Sequence, residues 1–174
     1  MNIIGEKIIL RAVEQDDLPV LKDLMNDPEI ESEVVGWSFP LSSQEHNGWF
    51  NSLKNDEKTL RCIIATKANV AIGTCVLSNI EWKNGNGRVH IKILKSHHGK
   101  GFGKDAINAL VNYGFKQLGL KCIWATALED NIASVTMFER CGFKREGVMR
   151  GRVYKNGRRQ NEVMLSILDI EHHA

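Results

Sequence analysis

The chain has 174 residues, 43% of them hydrophobic and 25% charged, with a formal net charge of +2. That length and makeup suit one soluble domain, residues 1–174, large enough to bury a real core. No basic start leads into an apolar run and no stretch approaches a membrane span, so neither a secretory signal nor a membrane partner is expected; Cys62, Cys75, Cys122 and Cys141 lie scattered in apolar patterns and read as reduced core residues of a cytoplasmic protein.

Residues 7–11 read as a first strand, with Ile8 and Leu10 on one face. Asp16, Asp17, Leu18 and Pro19 open a helix whose stripe is Leu18, Leu21, Leu24 and Met25, and Pro28 is expected to stop it. Residues 32–41, with Gly36, Trp37, Phe39 and Pro40, read as a loop. Ser42 to Glu45 cap a second helix carrying Trp49, Phe50 and Leu53. Strands are expected near 60–66 and 70–82, around a turn at 67–69. Asn84-Gly85-Asn86-Gly87 is a hairpin signal leading into a strand at 88–94, where Val89, Ile91 and Ile93 alternate with Arg88, His90 and Lys92. A helix follows on the spacing of Phe102, Ala106, Ile107, Leu110, Val111, Gly114, Phe115 and Leu118. A strand at 121–128, a helix at 131–141 and strands near 144–154 and 161–168 around a turn at 155–157 complete the order β-α-α-β-β-β-α-β-α-β-β.

Charge is unevenly spread. Glu14 to Glu33 holds eight acids against Lys22, and Lys144 to Arg159 holds seven bases against Glu146. Each run reads as a solvated face or as an attractor, the acidic one for a cationic amine and the basic one for an anion.

Between the strand at 88–94 and the following helix lies His98-Gly99-Lys100-Gly101-Phe102-Gly103-Lys104. Alternating glycines let backbone approach a ligand, and the helix start offers free N–H groups to an anion; Lys95, His97, Lys100 and Lys104 add positive charge. A Walker A loop fails at His98 and Asp105, and a dinucleotide fingerprint fails at Lys104. The coenzyme A pyrophosphate pattern Gln/Arg-x-x-Gly-x-Gly/Ala fits Gly101 and Gly103, with His98 in its first place. About thirty residues on, Asn131-Ile132-Ala133-Ser134-Val135-Thr136-Met137-Phe138-Glu139-Arg140-Cys141-Gly142-Phe143, followed by Glu146-Gly147, resembles the second motif of the GNAT superfamily of acyl-CoA-dependent N-acyltransferases. The ending through Tyr154-Lys155-Asn156-Gly157-Arg158 is similar to that of the Rim-type subgroup, whose style is shared by spermidine and amino-sugar N-acetyltransferases.

The resemblance implies an α/β fold: a central mixed, mostly antiparallel twisted sheet of about seven strands, with about four helices, splayed at the acyl-CoA site. It implies acetyl-CoA as cosubstrate, no metal, and direct acetyl transfer to a primary amine. Cofactor contacts map to Ile93, Leu94, Lys95, His98, Gly99, Lys100, Gly101, Phe102, Gly103, Lys104, Asn131, Phe138 and Arg140. Asn131 also fits a helix N-cap. Many relatives place a Tyr where this chain has Phe138, which cannot donate a proton. The Rim-type enzymes are similar in having a Ser at the Asn-x-x-Ser position, Ser134 here, and that resemblance makes Ser134 the candidate acid or hydrogen-bond donor to the leaving sulfur, or else a small residue permitting close approach. Related enzymes often carry a Glu where Arg88 stands, and the Rim-type Glu maps to about Val153, so the base is open; His90 and Glu81 are candidates through water. Cys141 is the nearest thiol to the cofactor. Glu31, Glu33, Trp37 and Phe39 form an expected acceptor wall, suited to a small amine such as a polyamine or to a peptide N-terminus. An amino-sugar nucleotide held by the basic run is the alternative. A module that senses acyl-CoA without transfer is the reading from another class. Nucleic acid is disfavoured as a partner, and a homodimer is allowed.

Overall fold

In the computed structural model, residues 1–36, 38–53 and 56–172 are described. The strands are β1 (Ile3–Ile4), β2 (Ile8–Arg11), β3 (Leu60–Thr66), β4 (Ala71–Glu81), β5 (Asn86–Ile93), β6 (Cys122–Leu128), β7 (Lys144–Lys155) and β8 (Arg158–Leu168). The helices are α1 (Leu18–Asn26), α2 (Pro28–Glu33), α3 (Ser43–Ser52), α4 (Phe102–Lys116) and α5 (Ile132–Arg140). The strands form one sheet in the order β1-β2-β3-β4-β5-β6-β8-β7, and only β5 and β6 run parallel.

The mixed, mostly antiparallel sheet expected from the sequence is present, with eight strands among the described residues. The added strand, β1, is two residues long, too short to carry a period. The added helix, α2, corrects the expectation that Pro28 ends the helical segment. α1 stops at Asn26; Asp27 then turns extended and accepts from the N–H groups of Glu29 and Ile30, so Pro28 starts a new helix at a position where its missing N–H costs nothing. The α2 helix takes in Ser32 and Glu33, which the sequence placed in a loop. At α3 the cap is as expected: Ser42 accepts from Glu45 N, and the Glu45 carboxylate accepts from Ser42 N at 2.9 Å.

Alternation sorts each strand onto two faces. On one face Cys62, Ile64, Cys75, Leu77 and Val89 join Ala106, Ile107, Leu110 and Val111 of α4 and Val135 and Phe138 of α5 in the larger core. Each such fully buried large side chain contributes about 1.5–3 kcal/mol. On the other face α1, α2 and α3 cover Ile63 and Ala65 in a smaller core. The start of α4 is pinned by Asp105, whose carboxylate accepts from Glu6 N at 2.9 Å, Lys7 N at 2.7 Å and Ile8 N at 3.0 Å. The residue that breaks the Walker pattern thus holds the glycine loop against the β1–β2 turn.

Candidate active site

The parallel ladder joins Asn86 to Cys122, Gly87 to Ile123 and Arg88 to Trp124. Beyond Arg88 the strands part: β5 continues beside β4, and β6 beside β8. Register decides which groups face the gap. Leu94 N donates to Ile72 O at 2.9 Å, so the next pair inward, Ile93 with Gly73, is not hydrogen-bonded. Ile93, and by alternation Ile91, therefore turn their N–H and C=O away from β4 and into the gap. His98 Nε2 lies 2.8 Å from Ile93 O; a carbonyl only accepts, so Nε2 carries the hydrogen. His98 thus braces the strand end, while the Ile93 N–H remains available in the gap.

The glycine loop sits beside this opening. Gly99 and Gly101 have φ of 73° and 83°, where glycine alone is unstrained. Gly101 is the N-cap of α4, and no side chain caps the helix. Asp105 N reaches Gly101 O at 3.1 Å, which leaves the N–H groups of Phe102, Gly103 and Lys104 open at the positive end of a 15-residue helix. A Cβ at Gly99 would meet nothing within 4 Å, whereas one at Gly103 would come 2.9 Å from Met137 Sδ. Gly99 is therefore open ground, and Gly103 lets α4 close on α5. Lys7 Nζ and Lys100 Nζ are engaged with backbone oxygens, of Lys100 at 3.2 Å and of Ser96 at 2.8 Å. The open N–H groups, the exposed glycine and these cations fit the pyrophosphate of acetyl-CoA.

On α5, Asn131 is the expected N-cap. Its side chain accepts from Ser134 N at 3.0 Å and donates to Glu33 O at 2.9 Å. The Ser134 hydroxyl makes no hydrogen bond among the described residues and is half-buried. Phe138 is 3% exposed and packs edge-on against Phe143 at 5.1 Å, which leaves the ring little surface for a ligand. Arg140 is exposed at the end of the same helix. Burial pushes the Cys141 thiol up to about 11, against the lowering effect of Lys104, so it is protonated at neutral pH and no ready nucleophile.

The two base candidates part company. His90 faces the side of the sheet covered by α1 to α3 and shares a 2.8 Å hydrogen bond with Ser78 Oγ. The protein packed against one side of this otherwise exposed ring, then the charges of Arg88, Arg61 and Lys92, lower its pKa to about 4, so the imidazole is neutral at pH 7 and only weakly basic. Glu81 pairs with Asn86, seven residues and about 23 Å along β5 from Ile93. Its carboxylate accepts from Asn84 Nδ2 at 2.6 Å and serves the hairpin, not the gap.

The expected acceptor wall is charge-compensated. Glu31 meets Lys155 at 2.9 Å, and Lys155 also donates to Glu31 O. Lys95, two residues past the end of β5, contacts Glu29 and lies 3.8 Å from Glu33. Phe39 is exposed on the loop after α2. Trp37 lies outside the described residues. Sequence reasoning missed Lys155, Arg61 and Lys92 as neighbours of this site. Alternation put Lys92 on the His90 face, but nothing local marked Lys155, which arrives from 124 residues away. Among the described residues no three His, Cys, Asp or Glu converge to hold a metal.

A sheet that opens between two parallel strands, beside an anion-binding helix start, defines an acyltransferase that draws its acyl group from a coenzyme A thioester. The comparisons agree. The acetyltransferase (GNAT) domain family matches residues 7–144, and the chain belongs to that family. An uncharacterized N-acetyltransferase, p20, of Bacillus licheniformis is 30% identical over 170 residues, 96% of each chain. A spermidine N(1)-acetyltransferase of Vibrio cholerae is 29% identical over 165 residues, 94% of each. The solved structure of spermidine N-acetyltransferase from Vibrio cholerae with CoA and spermine superposes with a TM-score of 0.88 at 28% identity, over 96% of this chain and 98% of that one. The chain is an N-acetyltransferase with acetyl-CoA as cosubstrate.

Proposed function

We propose that the chain acetylates a primary amine, on a small molecule or a peptide N-terminus, by direct transfer across the gap between β5 and β6. The reading is carried by the backbone of Ile93, turned into that gap with its N–H open. When bound, acetyl-CoA supplies the activated acetyl group: the amine nitrogen bonds to the carbonyl carbon, the carbon–sulfur bond breaks, one N–H proton passes to water, and the sulfur gains one through the Ser134 hydroxyl, which water reprotonates. The Ile93 N–H is the donor for the carbonyl oxygen as negative charge gathers there. Amides of Phe102, Gly103 and Lys104 hold the pyrophosphate and fix the depth of the thioester. Ser134, at the start of α5, donates to the departing sulfur. Neutral His90 accepts a hydrogen bond from amine or water without taking the proton outright. The acceptor enters on the α1–α3 side, past Phe39 and Glu33. Four free thiols support a reducing compartment, the cytoplasm.

The test is Ser134→Ala. Acetyl-CoA affinity should stay within about twofold while kcat falls by about 100-fold, the range of general acid catalysis. Thiol release with a panel of polyamines, peptides and amino-sugar nucleotides gives kcat; calorimetry gives affinity. An unchanged kcat removes Ser134 from the chemistry.

A further inference from the structure

The face of β5 that meets the acceptor is cationic. Arg88, His90 and Lys92 alternate onto it, and register extends it across the sheet: His90 is opposite Val76, and Val76 is opposite Arg61. Residues two apart on one face are about 7 Å apart, so the four side chains form one patch. The segment beyond Arg88 is the one that has left β6, so the patch borders the opening through which the acetyl group arrives.

Three of these cations lack a carboxylate partner among the described residues. Arg61 lies over the Trp49 ring at 5.5 Å. Arg88 stacks on Trp124 at 5.1 Å and donates from Nη2 to Thr126 Oγ1 at 2.6 Å, while its buried Nε has no acceptor. Lys92 Nζ has only Met25 Sδ, at 3.7 Å. The acids nearby are committed elsewhere: Glu31 to Lys155 at 2.9 Å, and Glu162 towards Arg152 at 3.9 Å. A buried N–H without an acceptor is costly, and three cations round one imidazole, offset only from a distance by Glu162 at Arg88 and by Glu31 at Lys92, repel one another. An anion in their midst relieves that repulsion.

Building on the N-acetyltransferase reading, we infer that the acceptor carries an anionic group, a carboxylate or phosphate, held by Arg61, Arg88 and Lys92 while its amine faces the gap. The arrangement also serves the chemistry. Cations near the acceptor disfavour its ammonium form, so the amine is delivered neutral where no strong base stands. A polyamine meets repulsion on the same face.

The test compares β-alanine with β-alaninamide, O-phosphoethanolamine with ethanolamine, and both pairs with spermidine, in thiol release with acetyl-CoA and in calorimetry. We expect kcat/KM for an anionic amine to exceed that of its neutral partner by at least about tenfold, as loss of charge-assisted bonds implies; the better of the two anionic amines identifies carboxylate or phosphate. Arg88→Gln, and separately Lys92→Gln, should erase most of that preference in proteins whose melting shows them folded. A neutral amine or spermidine that matches or outperforms the anionic ones overturns the inference and leaves the transferase reading intact. Binding of an anionic amine, weakened in Arg88→Gln but never followed by acetylation of any amine, supports the anion site and removes the transferase reading. Absence of both binding and preference overturns the inference.

Discussion

Asp17 shows how a carboxylate is kept charged at 4% exposure. Burial alone raises its pKa, but Arg11 donates to it at 2.7 and 2.8 Å and Glu14 N at 2.8 Å, and with the Arg11 charge these hold the group below the usual carboxylate range. The folded pKa is depressed, so the stability it contributes is present above the unfolded value of about 3.9 and is lost as pH falls through the folded value. Wild-type melting temperature should therefore drop steeply below about pH 4, and Asp17→Asn should flatten that drop. Arg11→Met strands the carboxylate and should cost about 3 kcal/mol in urea unfolding at pH 7, a loss that acid shrinks. A pH-independent difference between wild type and Asp17→Asn would exclude this linkage. Such a pair is hard to see in a sequence: Arg11 ends a strand and Asp17 begins a helix, and either alone passes for a surface charge. Asn131 and Glu45 were legible because a cap is a local motif, three residues wide. Asp105 was not, since its three donors lie almost a hundred residues away.

Among the elements, the glycine loop and α4 carried the clearest signal. Alternating glycines and an amphipathic repeat are both short-range patterns, and the structure places them side by side as open helix N–H groups next to the splayed strand. The α2 helix was obscured because proline reads as a stop, while its use at a first helical turn depends on a cap at the residue before it. Its partner Lys155, at the end of β7, gave no local sign. The α4 N-terminus supports a direct test. Gly101→Glu places a carboxylate and a side chain at φ 83°, beside the amides assigned to pyrophosphate. Gly101→Ala imposes the same backbone strain, about 1–2 kcal/mol, without the charge. Acetyl-CoA affinity by calorimetry should fall at least about tenfold further in Gly101→Glu than in Gly101→Ala, since a like charge replaces a helix-end attraction. Equal losses in the two variants would mean that the loop acts only through its shape.

At the scale of the whole molecule, the sheet stands between the proposed cofactor and acceptor sites. The α4 and α5 helices take one face and present the anion cradle; α1 to α3 take the other and border the cationic strip; the gap between β5 and β6 joins them. The piece that closes the proposed acceptor side is α2, a six-residue helix too short to be stable alone. Three distant segments hold it: Lys95 just past β5, Asn131 at the start of α5, and Lys155 at the end of β7. Lys155 is the decisive one, 7% exposed and bonded to both the carboxylate and the backbone of Glu31. Lys155→Met fills the same space without the charge. Glu31 keeps 24% of its side chain exposed and can rehydrate, so the cost should be about 2 kcal/mol, below the 3–5 of a fully buried pair. For a chain of this length that is a melting temperature lower by roughly 4–8 °C. Adding Glu31→Gln should restore more than half of the loss, because the double variant leaves no unpaired charge. The KM for the amine should rise in Lys155→Met while acetyl-CoA affinity holds, since the cradle lies across the sheet. If affinity for acetyl-CoA fell as far as affinity for the amine, α2 would be a brace for the whole sheet and not a wall of the acceptor side.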